Sequence, residues 1–130
     1  LSKNANQPKQ YEALLSDLKG DRKKIVLRTA ESLIIIDVDT IVRCNSEGNY
    51  TTFYLSDDRK IVTSKTLKEY EQSLSGTYFI RCHRSHIINL NFVDRLDRND
   101  RGIIVMKDGT EIPLSRSFRE KFLELLEKMA

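Results

Sequence analysis

The spacing of apolar and polar positions changes several times along the chain. Over residues 9–20, KQYEALLSDLKG, the apolar residues Tyr11, Leu14, Leu15 and Leu18 fall at i, i+3, i+4 and i+7, and Gly20 stands where a helix would stop. That spacing predicts one amphipathic helix over residues 9–19. The stretch before it, LSKNANQP, is polar and ends in Pro8, which reads as a linker or a cut end. Three roles fit the helix: packing on the following domain, pairing with a second copy, or connecting to an upstream domain absent from this chain.

From Lys24 to Asn45 the period shortens, and β-branched residues dominate the runs KIVLRT, SLIIID and DTIVRC, with Ala30–Ser32 and Asp37–Asp39 as turn candidates. GNYTTFYL reads as a further strand, SDDRK as a turn and KIVTS as the returning strand. A short helix then interrupts the sheet. In TLKEYEQSL, Thr66 and Glu69 have capping-box spacing, Tyr70 and Leu74 share a face, and Gly76 is placed to terminate. After it come the strand runs YFIRC, FVDRLD, GIIVM and TEIPLS, with the Asp-Gly of KDGT suited to a tight hairpin. In SFREKFLELLEKM, Phe118, Phe122, Leu125, Leu126 and Met129 make one stripe, so an amphipathic helix closes the chain. The body is therefore expected to be mostly antiparallel β, with small helices and an N-terminal linker helix.

Length and composition narrow the class. At 130 residues with 39% hydrophobic and 32% charged positions, the chain suits one folded domain, here residues 21–130, behind a linker and helix at 1–20. No apolar run approaches the roughly 18 residues of a membrane span, and no charged-then-apolar leader opens the chain. A cytoplasmic protein with no membrane partner is expected. Cys44 and Cys82 are too few for a disulfide framework and lie in no zinc-finger spacing, so reduced thiols are expected. The net charge of +3 is mild, but its distribution is uneven. The stretch from Arg81 to Asn91 carries Arg81, His83, Arg84 and His86 with no acid, whereas the closing helix balances Lys and Arg against Glu.

Candidate catalysts are weak. His83 and His86 would share a face only on a helix, their flanks YFI and IINL read as extended or turning, and a third metal ligand is missing. Cys82 and His83, as strand neighbours, point to opposite faces and suit a buried thiol better than a nucleophile and base. The five glycines, Gly20, Gly48, Gly76, Gly102 and Gly109, are scattered and form no phosphate loop. No enzyme and no cofactor are implied. Three polar turns offer different chemistry: NSEGNY around Asn49, CHRSH around Arg84, and LSRSFR around Arg116. Asn matches the adenine edge, Arg matches guanine in bidentate fashion, and Ser or backbone N–H groups at a helix start hold phosphate. Each has a plainer local role too: Asn49 as a turn residue, Arg84 as a solvated surface group, Ser115 or Ser117 as a helix cap.

The residues that unite these turns are GNYTTFYL, YFIRCHRSHIINLNFVDRL and KDGTEIPLSRSFREKF. In order and spacing, the chain from about Lys24 to Leu126 resembles the LytTR family of bacterial DNA-binding domains, usually the output half of response regulators. The resemblance implies an elongated antiparallel β fold of about ten short strands with small helices, whose loops enter successive major grooves of double-stranded DNA. Carried over, base and backbone contacts fall on Asn49, Arg84 and the pair Arg116–Ser117, with phosphate contacts expected from Arg81, Lys65 and Arg119. His83 and Ser85 are expected to brace the loop presenting Arg84, Cys82 and Ile80 to point inward, and Asn89 to bond the backbone. The same resemblance implies a phosphorylated receiver domain ahead of residue 1 and a dimer on a direct repeat. The chain departs from the family pattern at Arg43, where an acid is common, at His86, where an aromatic or aliphatic residue is usual, and at Ser117, where a second basic residue often stands. In some relatives a cysteine at the Cys82 position senses oxidation. Here Cys44 belongs to a different strand region and Ile112 occupies the position where a partner would stand, so no redox role is expected. A protein-interaction module that uses the β edges and the helix over 9–19 without nucleic acid is the alternative, distinguished by salt-insensitive behaviour and no retention on DNA.

Overall fold

The computed structural model of the protein describes residues 24–75, 78–98 and 102–130; the helix expected over 9–19 and the stops at Gly20 and Gly76 lie outside the described residues. Ten strands and two α-helices are described: β1 (Lys24–Arg28), β2 (Leu33–Asp37), β3 (Ile41–Glu47), β4 (Tyr50–Leu55), β5 (Lys60–Thr63), α1 (Leu67–Ser73), β6 (Phe79–His83), β7 (His86–Asn89), β8 (Val93–Asp97), β9 (Ile103–Met106), β10 (Glu111–Pro113) and α2 (Arg116–Met129). Single 3-10 turns at Val38–Thr40 and Leu90–Phe92 join β2 to β3 and β7 to β8. The mostly antiparallel β architecture of about ten short strands is as expected, and the strands form three sheets. They are β1-β2, β5-β4-β3-β7-β6 and β10-β9-β8, and every pairing is antiparallel.

The five-stranded sheet lies between two cores. On one face Leu27, Ile36, Ile41, Cys44, Phe53 and Ile87 pack with Leu67, Tyr70 and Leu74 of the α1 region. On the other Cys82 and Ile88 pack with Ile104, Met106, Ile112, Leu114 and Phe122 of β9, β10 and α2. Because successive strand side chains point to opposite faces, Ile87 and Ile88 supply one core each, as do Phe79 and Ile80. Burial on both faces is why Ile87 and Ile88 stand as adjacent apolar residues instead of alternating with polar ones.

Local signals formed the helices as read. Thr66 Oγ1 accepts the Glu69 backbone N–H at 3.3 Å and the Thr66 N–H donates to Glu69 Oε1 at 3.1 Å, closing the capping box. The helix then lays Tyr70 against Phe53, edge to face, with ring centroids 4.7 Å apart. Asn89, 1% exposed, bonds backbone as anticipated: Nδ2 donates to the Ile41 carbonyl at 2.8 Å, and Oδ1 accepts the Asn91 N–H at 2.9 Å. It thereby fastens the end of β7 to the start of β3.

Both cysteines are free, fully buried and on opposite faces of the same sheet. Burial raises both thiol pKa values, that of Cys82 to about 12. Neither thiol should react with an aromatic disulfide reagent at neutral pH until the protein is unfolded, when both should titrate together. A mass measurement showing a Cys44–Cys82 bond after mild oxidation of the folded protein would contradict this placement.

Candidate nucleic-acid interface

Three chain reversals carry the polar residues singled out in the sequence, and register places them at one end of the five-stranded sheet. Glu47 pairs with Tyr50, so Gly48 and Asn49 form a two-residue hairpin turn. Gly48 takes φ +63° while Asn49 keeps an ordinary negative φ, the pattern of a turn with glycine first. The backbone therefore does not require asparagine at 49, and the side chain sits exposed at the tip. Thr51 pairs with Thr63, which puts Lys65 two residues beyond, across from Asn49; the Thr51 hydroxyl donates to the Lys65 carbonyl at 2.7 Å. Tyr50, 57% exposed, stands beside Asn49 and went unremarked in the sequence.

The second reversal is Arg84–Ser85, between the paired His83 and His86. Among the described residues Asp58 is the only non-glycine with positive φ, so this hairpin lacks the left-handed residues whose twist suits a two-residue turn. Side-chain braces hold it instead. The Arg81 guanidinium donates from Nε to the His83 carbonyl at 3.2 Å and from Nη2 to the Arg84 carbonyl, and its Nη1 pairs with Glu71 Oε1 at 2.8 Å. His83 Nδ1 accepts the Ser85 N–H at 3.0 Å, and the Ser85 carbonyl accepts the Ser46 N–H at 2.9 Å, pinning the tip to β3. His83 and Ser85 thus brace the loop, and Cys82 and Ile80 point inward, as the sequence led us to expect. Arg81, counted in the sequence among phosphate contacts, has its guanidinium bound within this turn. Its partner Glu71 is ten residues away on a helix, a pairing with no periodic signal to reveal it. The side chain of Arg84 projects from the turn into solvent.

The third reversal is the entry to α2. The Ser115 N–H donates to the Cys82 carbonyl at 3.0 Å, which docks the helix start on the edge strand β6. Ser115 occupies the N-cap position with no side-chain cap bond; its hydroxyl lies 3.1 Å from that of Ser117. His83, Arg84, Ser115, Arg116 and Ser117 line one open cleft, which brings the second and third candidate sites together across it. Arg119 lines the adjoining depression with Arg116, Ser115 and Pro113. Asn49, Lys65, Arg84, Arg116, Ser117 and Arg119 thus belong to loop or helix-start positions, whereas the Arg81 guanidinium is bound within its own turn.

Two departures from the expected pattern also have structural roles. The Arg43 guanidinium lies 3.7 Å from the centroid of the Tyr54 ring, on the strand next to its own. The His86 ring meets that of His83 edge to face at 5.3 Å, and its Nδ1 is buried with no hydrogen-bond partner. Burial, followed by the electrostatic influence of His83 and of the Arg43 guanidinium, lowers the His86 pKa from 6.5 to about 4. Between those values the unfolded chain binds a proton that the folded chain rejects, so stability is intact above about pH 6.5 and falls toward pH 4. Fully expressed, that shift would cost about 3 kcal/mol across the window; solvent screening at this half-buried ring reduces the expected loss to about 1–2 kcal/mol, measured by urea titration, with a flatter profile in His86→Phe.

Among the described residues no helix is long and apolar enough to cross a membrane, and no group of three or more His, Cys, Asp or Glu could hold a metal ion. The family model described as the LytTr DNA-binding domain matches residues 31–127. The chain is 35% identical over 106 residues to the heme-containing CO-sensing transcriptional regulator RcoM 1 of Paraburkholderia xenovorans, covering 79% of this chain and 39% of that protein. It is 32% identical over 108 residues to the sensory transduction protein LytT of Bacillus subtilis, covering 79% and 43%. It is 24% identical over 121 residues to the transcriptional regulatory protein LytR of Staphylococcus aureus, covering 91% and 49%. The chain thus spans less than half the length of these curated relatives. The LytTr DNA-binding domain of a methyl-accepting/DNA response regulator from Bacillus cereus superposes with a TM-score of 0.69 at 25% identity, over 79% of this chain and 95% of that one. With a family match over most of its length and the same fold in a solved relative, this chain belongs to the LytTR family of DNA-binding domains.

Proposed function

We propose that the chain reads double-stranded DNA in a sequence-specific manner and serves as the output domain of a transcription regulator. The observation that carries this reading is the Arg84 hairpin: a turn braced by side chains of its neighbours, presenting one exposed guanidinium beside the start of α2. In this reading Arg84 and Asn49 address base edges in the major groove, where Arg pairs with guanine and Asn with adenine. Arg116 and Ser117, with the uncapped N–H groups of α2, take a neighbouring segment of base or backbone, and Lys65 and Arg119 neutralise phosphates. Arg81 acts by holding the turn. Two molecules occupy a direct repeat, their loops entering successive major grooves. Residues 1–20 join residues 21–130 to a receiver domain, whose phosphorylation favours the paired state and raises the effective concentration of the second domain on the repeat. The setting is the cytoplasm.

Selection from a random duplex pool tests this directly. A repeated motif should be enriched, and binding to it should weaken with salt at a slope in log K against log salt of roughly −3 to −4 per bound molecule, the value for about four neutralised phosphates. No enrichment, with salt-insensitive behaviour and no retention on DNA, would favour the protein-interaction module instead.

A further inference from the structure

The two cores meet at the edge strand β6, and the gap between α1 and α2 leaves that line open. A cleft of about 280 Å³ lies there, lined by Leu74 and Ile87 of the first core, Ile80 and Phe118 of the second, and Leu125 of α2. Its size falls just below the roughly 300–1,000 Å³ usual for ligand pockets, so it suits a small body. The charged groups at its rim reduce to one sign. Glu71 and Arg81 pair with each other at 2.8 Å, whereas Lys121 joins no ion pair among the described residues. Residues 118, 121 and 125 share one face of α2, so Lys121 interrupts the apolar stripe where it borders the cleft.

An apolar floor with a single unmatched cation at its edge fits one ligand chemistry. A hydrocarbon body gains from covering the floor, and a carboxylate gains from Lys121. A cationic ligand would meet Lys121 with the only carboxylate of the rim, Glu71, already engaged. Arg81 ties the cleft to the DNA-reading end, because its Nη1 meets Glu71 in the cleft wall while Nε and Nη2 hold the His83 and Arg84 carbonyls of the turn. We propose that the cleft between α1 and α2 binds a small apolar carboxylate, its hydrocarbon part on Ile80, Ile87 and Phe118 and its carboxylate at Lys121, and that Arg81 transmits its occupancy to the Arg84 turn. The binding stands apart from the DNA-reading proposal, and only its effect on DNA affinity rests on that reading.

Octanoate is the probe, titrated into the whole chain without DNA and followed through the backbone amide resonances. Those of Leu74, Ile80, Phe118 and Lys121 should shift along one saturation curve with a Kd of about 1 mM or below, and those of Arg84 and Ser85, outside the cleft, should follow the same curve. 1-Octanol, of the same length and uncharged, should bind about three- to fivefold more weakly, and Lys121→Gln, at an exposed position, should weaken octanoate by that factor and leave octanol unchanged. Octanol binding as tightly as octanoate would overturn the ligand class. Shifts that never saturate, or that centre on the exposed Val26, Leu33 and Ile35 instead, would overturn the site. Unmoved Arg84 and Ser85 resonances at saturation would overturn the link to the turn. Because every readout is taken without DNA, these failures leave the DNA-reading proposal standing, and a failure to select a DNA motif leaves the cleft untouched.

Discussion

Arg84→Ala should lower affinity for the selected duplex by about 5- to 150-fold, equivalent to roughly 1–3 kcal/mol, and blur the preferred base at one position of the motif. The loss should be confined to recognition. The bonds that shape the turn use the Arg84 carbonyl, the Ser85 N–H and carbonyl, and the side chains of Arg81 and His83, all of which survive truncation of residue 84. Its exposed side chain touches no core, so stability to urea should change by less than about 0.5 kcal/mol. Binding to random duplex should fall only by the share of one lost cation, with the salt slope reduced by about one. Equal losses on selected and random DNA would assign Arg84 to the phosphates and remove it from the groove. Lys65→Ala offers the contrast, since a phosphate contact weakens all sequences alike.

The largest loss of stability is expected from Phe122→Ala. The ring is fully buried among Ile104, Met106, Ile112 and Leu114, and it is the one residue of α2 wholly enclosed by the second core. Removing an aromatic ring from such a site costs about 3–5 kcal/mol, a large fraction of the 5–15 kcal/mol typical of a domain, and should lower the melting temperature by roughly 10–20 °C. The effect should reach the DNA interface, because α2 begins at Arg116 and Ser117 and is anchored through the Ser115–Cys82 backbone bond. Below its own melting point the variant should therefore bind the selected duplex more weakly than its folded fraction accounts for. A cost below about 1 kcal/mol in calorimetry would mean that α2 is not packed through Phe122.

Much of this protein is written locally. Runs rich in β-branched and aromatic residues in KIVLR, LIIID and YTTFYL gave strands, the 3.6 spacing of Phe118, Phe122, Leu125 and Leu126 gave the closing helix, and Thr66 with Glu69 gave the capping box, because each depends only on chain neighbours. The candidate turns around Asn49, Arg84 and Arg116 were likewise legible as polar interruptions between apolar runs. The sequence did not disclose that β3 pairs with β7 across more than forty residues, Arg43 opposite Ile88, or that ten strands divide into three sheets. Nor did it show that Arg81 turns back to Glu71 and two carbonyls while Arg84, three residues on, is left exposed. The two arginines are chemically alike, and only their surroundings separate them: one reaches a helix that supplies a carboxylate, the other stands exposed at a turn beside the start of α2. Residue spacing thus determined the elements and the candidate turns. Which faces are covered, which cations stay exposed and which turns meet at one end were decided by contacts between distant segments, because burial and charge pairing depend on what the fold brings near, not on order along the chain.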